Sequence, residues 1–102
     1  MIRVILCNCS PDEAPRLARR LVEEKLAACV NIIGGVRSIY RWDGQLCDDE
    51  EATLLIKTTD KGFEDLAEKL TQYHSYDVPE IIALDSADAA RAYGEWVYEQ
   101  VR

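Results

Sequence analysis

One histidine, four cysteines and a run of four acids are the residues of this chain best suited to chemistry. His74 is the only imidazole, a side chain that suits copper as a ligand. It also closes an apolar stripe, so a packed or capping histidine at a helix C-terminus is the competing reading. Cys7 and Cys9 lie two positions apart. On a strand that spacing puts both thiols on one face, where soft sulfur could hold Cu(I) or Zn(II). Burial in the core is the alternative, and Cys29, just before a strand, reads as a small buried hydrophobe. No C-x-x-C pair exists, so zinc-knuckle and thioredoxin-type sites are excluded by spacing. Asp48-Asp49-Glu50-Glu51 could attract a hard cation, but no calcium-loop spacing surrounds it. That run reads as a solvated face or loop.

Catalytic chemistry has little to work with. No serine or cysteine nucleophile stands beside an evident base, and Gly34-Gly35 is not a dinucleotide fingerprint. The chain is therefore expected not to be an enzyme. Its net charge of -7, with basic residues scattered among more numerous acids, argues against nucleic acid or an anionic membrane as partner. No segment approaches the ~20 apolar residues of a membrane span, and no signal peptide is evident. Four cysteines without secretory features read as free thiols, so a cytoplasmic location is expected.

The elements that must position these residues follow from hydrophobic periodicity. At 102 residues and 48% hydrophobic content, residues 1–102 make one domain with one core. Ile2 to Leu6 is a β-branched run, extended by Cys7-Asn8-Cys9 into a first strand. Ala14, Leu17, Ala18, Leu21 and Val22 then recur at helical spacing to about Leu26. Ser10 with Glu13 fits a capping box, whereas Asp12 as cap leaves Pro15 among donors without helical partners; Asp12 is preferred. Val30 to Ile33 starts a second strand, and Gly34-Gly35 marks a bend or bulge before Val36 to Trp42. Asp43-Gly44 is a type I′ turn signal, and Ala52 to Thr58 returns as the third strand. Asp60 caps a second helix carrying Phe63, Leu66, Ala67, Leu70 and His74 on one stripe. Glu80 to Leu84 is a short apolar strand. Ala89, Ala92, Tyr93, Trp96 and Val97 form the buried face of a last helix. The expected class is α+β: a ferredoxin-like βαββαβ sandwich with a long β-hairpin and an added C-terminal helix.

Several segments together resemble the CutA family of divalent-cation-tolerance proteins. They are Ser10-Pro11-Asp12-Glu13-Ala14, Leu21 to Asn31, Ser38-Ile39-Tyr40-Arg41-Trp42-Asp43-Gly44, Leu55 to Thr59, His74 to Ile82 and Tyr93-Gly94-Glu95-Trp96. Their joint order and spacing carries the resemblance, over about Ile2 to Val97. It implies a homotrimer whose strands pair across subunit edges, and a role in tolerance of copper and other divalent cations. Copper(II) or another divalent metal is the cofactor it suggests, with no organic cofactor, and no partner protein is indicated. It implies His74 as a metal-site candidate; the position that is Cys in some relatives proposed to bind copper is Asn8 here. It also places Trp42, Lys57, Tyr76 and Glu80 at clefts between subunits, where a small anionic ligand could sit. The competing role for these four is interface packing. A trimeric signalling or scaffold module is the alternative function, though the chain carries only the Asp43-Gly44 turn between its hairpin strands.

Overall fold

The N-terminal β-branched run forms β1 (Ile2–Cys9) in the computed structural model, which describes residues 1–102. Six elements follow: α1 (Ala14–Glu23), β2 (Cys29–Trp42), β3 (Gln45–Thr59), α2 (Phe63–Tyr73), β4 (Ile82–Asp85) and α3 (Arg91–Gln100). The four strands make one antiparallel sheet in the order β2-β3-β1-β4. The expected α+β class with a long hairpin and a C-terminal helix is what the chain adopts.

Period-2 alternation divides β1 between the two faces of the sheet. Ile5, Cys7 and Cys9 point into the main core, with Leu54 and Ile56 of β3, Leu17 and Leu21 of α1 and Leu66 and Leu70 of α2. Each large aliphatic side chain so enclosed contributes about 1.5–3 kcal/mol. The opposite face carries Val4, Leu6, Leu55, Ile82 and Leu84 in register across β3, β1 and β4. Only one end of that face is covered, where Val97 of α3 packs on Ile2 and Ala28.

The hairpin is long because β2 and β3 run on past the end of β1. Register is held from Cys29↔Lys57 to Trp42↔Gln45, with one irregularity between Ile33 and Val36. Gly35, at φ +69°, supplies that bulge, as Gly34-Gly35 led one to expect. Asp43 and Gly44, at φ +53° and +77°, close the tip as a type I′ turn. The molecule measures 44 × 25 × 22 Å, longer than a 102-residue sphere would be.

Local signals misplaced several boundaries. Asp12 does not cap α1; the helix begins at Ala14 with Pro15 in its first turn, and the Glu13 side chain accepts from the Ser10 N–H at 3.2 Å. The capping-box half of the signal is the one realised. α1 ends at Glu23 rather than Leu26, because Lys25 turns left-handed (φ +59°). Leu26 N–H then reaches the Leu21 carbonyl and Lys25 N–H the Val22 carbonyl, a Schellman closure. Asp60 does not cap α2; Thr59 Oγ1 accepts the Gly62 N–H at 3.0 Å, while Asp60 holds the N-terminal ammonium at 3.2 Å. The acids 48–51 are not a loop but the outer part of β3. β4 begins at Ile82, two residues later than expected. On α3 only Val97 is buried, since the helix meets the sheet at one end, and Tyr93 and Trp96 stay partly exposed. Cys29 is half-buried, not enclosed.

Candidate functional site

Where β1 ends, two loops meet. The carboxylate of Glu13, 8% exposed, accepts from Ser10 Oγ at 2.8 Å, from Ser75 Oγ at 2.6 Å and from the Ser75 N–H at 3.1 Å. Burial alone would push this carboxyl up, but the hydrogen bonds from Ser75 and Ser10 outweigh it and hold the pKa below the usual glutamate range. Glu13 thereby ties the start of α1 to the end of α2. Sequence reasoning saw only its capping-box half, because Ser75 is 62 positions away.

His74 sits in the same corner, 7% exposed, as the C-cap of α2. Its Nδ1 accepts the Tyr76 N–H at 3.1 Å, and its Nε2 lies 2.8 Å from the Asn8 carbonyl oxygen. That pair of contacts assigns the proton to Nε2, which donates to Asn8. Both ring nitrogens are engaged within the chain. Cys7 and Cys9 are fully enclosed on the helix-facing side of β1, and burial, reinforced by nearby acids, pushes their thiols up to about 12 and about 11. Burial thus disfavours the thiolate form that ligates metals, so a metal ion there would have to displace the thiol protons. Among all residues no three His, Cys, Asp or Glu side chains come together as a metal-holding group.

Beyond the end of β1 the hairpin arm and the segment 76–80 enclose a cleft of about 750 Å³. Trp42, Tyr76 and Glu80, three of the four residues implied by resemblance, line it together with Asn8, Tyr40 and Glu51. Lys57, the fourth, is not among them. It pairs with Cys29 at the other end of β2 and donates to the Asn31 side chain. Glu51 is 5% exposed and accepts the Tyr76 hydroxyl at 2.7 Å. Tyr40 donates to Asp49 at 2.5 Å, a bond that, with some desolvation, pushes its phenol up to about 12. Desolvation and the same kind of bond, to Glu51, raise the Tyr76 phenol as well. Both rings stay neutral and fixed in orientation. Sequence reasoning did not single out Tyr40 and saw Glu51 only as one acid of the run 48–51. The only available signal was alternation: Asp49 and Glu51 share a face of β3, and Tyr40 faces their side from β2.

With this geometry in place, comparison with known proteins is decisive. The model of the family "CutA1 divalent ion tolerance protein" matches residues 3–100. The chain belongs to the CutA1 family. The divalent-cation tolerance protein CutA of Thermus thermophilus is 47% identical over 100 residues, covering 97% of each chain. A solved structure of the Cut A1 protein from that organism matches with a TM-score of 0.96 at 46% identity, covering 100% of both chains. CutA1 from Oryza sativa matches at TM-score 0.95 and 38% identity, covering 99% of this chain and 94% of that one. A PII-like CutA from Nostoc, solved in apo form, gives 0.93 at 34% identity over 98% and 97%. The CutA resemblance read from the sequence segments is thus established, and no helix is long and apolar enough to cross a membrane.

Proposed function

We propose that this CutA1 protein serves divalent-cation tolerance by binding rather than catalysis, as a homotrimer of ferredoxin-like protomers in the cytoplasm, with copper(II) as the cation. The observation that carries the reading is the family relationship across residues 3–100. Four unbridged cysteines suit a reducing compartment. The β2-β3-β1-β4 order, with α1 and α2 on one face, supports the ferredoxin-like description. The other face leaves Ile82 and Leu84 of β4 about half exposed, and Tyr93 and Trp96 of α3 are partly exposed as well, apolar surface that association would cover. Within one chain the side chains do not fit a resident copper centre, so copper is cargo, met by groups from more than one subunit. His74 is the imidazole available to it, and copper must take Nε2 from the Asn8 carbonyl to bind.

Calorimetric titration of reduced, metal-free protein with Cu(II) tests this reading. Saturable binding, lost in both His74→Ala and the hydrogen-bonding replacement His74→Gln, is the expected result. Binding unchanged in a folded His74→Gln protein would remove His74 from the site. A second reading, ligand binding in a cleft at the subunit edge, is favoured by the cavity that Trp42, Tyr76 and Glu80 share.

A further inference from the structure

Lys57 is the only charged residue in three rows of side chains on the sheet face that α1 and α2 leave open. Cross-strand register places it in the row Cys29, Lys57, Val4, Leu84, which spans all four strands. The next row, Asn31, Leu55, Leu6, Ile82, carries no charge, and neither does the third, from Ile33 through Thr53 to Asn8. Period-2 alternation turns these side chains to the same side, so one ammonium stands in a field of apolar and neutral groups.

That ammonium has no counter-charge within the chain. It donates to the Asn31 side-chain oxygen and reaches the Leu55 carbonyl at 3.5 Å, both neutral acceptors. Five ion pairs form elsewhere, and Lys57 enters none of them. The residue is already partly buried, and water supplies what its neighbours do not. Covering the face removes that water. An enclosed ammonium with only neutral acceptors is strongly unfavourable, whereas one that meets a carboxylate in good geometry is not.

Resting on the homotrimer reading above, we infer that a carboxylate of a second copy of this chain closes on Lys57, completing each open face with an ion pair across the subunit boundary. The chain is rich in the complementary charge. It carries 19 acids against 12 bases, and the internal ion pairs engage only Asp60, Asp85, Glu13, Glu24 and Asp48. The pair would also fix how the copies meet. Apolar rows tolerate sliding past one another, but a lone ammonium has one favourable position against one acid.

Sedimentation equilibrium of the full chain in low-salt Tris chloride is the test, on the wild type and three variants. Lys57→Met keeps the stem and removes the charge; it should assemble at least tenfold more weakly, because the facing carboxylate is left enclosed alone. Lys57→Glu should sediment as single chains with unchanged far-ultraviolet dichroism, and Lys57→Arg, which keeps the charge, should assemble as the wild type does. Lys57→Met assembling as tightly as the wild type would mean that the ammonium reaches water at a rim, and would overturn the inference while leaving the trimer reading in place. Equal weakening in Lys57→Arg and Lys57→Met would show that packing rather than charge is at stake, and would overturn it too. So would a wild type that assembles only after inorganic phosphate is added, since the counter-charge would then come from solution. Single chains of wild type at every concentration would remove the trimer reading and this inference with it.

Discussion

Glu13 is where a single side chain carries the most structure. It converts the start of α1, the end of α2 and their two serines into one unit beside His74. Removing it leaves Ser10, Ser75 and the Ser75 N–H without their shared acceptor. Glu13→Ala should therefore lower the unfolding free energy by about 3 kcal/mol, read from urea denaturation at pH 7. The pH dependence has a definite sign. A carboxyl whose folded pKa is depressed contributes stability that is fully present above its unfolded value, near 4.5, and is lost as pH falls through the folded value. The stability gap between wild type and Glu13→Gln should accordingly shrink below pH 4.5; a gap constant from pH 7 to pH 3 would mean the carboxylate charge is not what matters.

Elements are set by backbone punctuation, and two left-handed residues make opposite predictions. Gly35 bulges β2 in open space, with nothing within 4 Å of where a methyl group would stand, so only backbone strain opposes a side chain. Gly35→Ala should cost about 1 kcal/mol. Lys25 occupies the same region without being glycine, at the closure of α1. Lys25→Gly should raise stability by about 0.5–1 kcal/mol, because glycine adopts positive φ without steric cost. Thermal melts of the two variants should shift in opposite directions, and a shift in the same direction would show that side-chain contacts rather than φ govern these sites. The bulge and the Asp43-Gly44 turn were legible in the sequence since dipeptide chemistry alone dictates them. The caps at Asp12 and Asp60 were not, because nearby side chains compete for the same donors and tertiary contacts choose between them.

At the scale of the whole molecule, the sheet has two unlike faces. One is closed by α1 and α2; the other keeps Leu84 50% exposed and meets only the end of α3. The stripe Tyr93, Trp96 and Val97 was read as one buried face, but a single chain supplies cover for Val97 alone. Tyr93 and Trp96 stay partly exposed, as does the apolar row on β4. The homotrimer proposed above would cover these apolar residues. Sedimentation equilibrium should give three times the 11.6 kDa chain mass, and Leu84→Asp should reduce it toward one chain while leaving far-ultraviolet dichroism in place. A wild type that sediments as a monomer would end the trimer reading.

What the sequence by itself determined was the order of elements, the bulge, the hairpin turn and most of the core, since period 2, period 3.6 and positive-φ dipeptides are local properties. It also identified the family, through the joint order and spacing of six segments from Ser10 to Trp96. Tertiary structure decided the rest. That Trp42, Tyr76 and Glu80 share a cleft while Lys57 stands apart depends on how far β3 runs past β1, a long-range register that no local pattern encodes. The partners of His74 are likewise set by the end of β1, which brings Asn8 to a ring 66 positions away. Glu51 changed from one acid in a solvated run to the buried floor of a cleft because Tyr76, on a distant loop, lies over it.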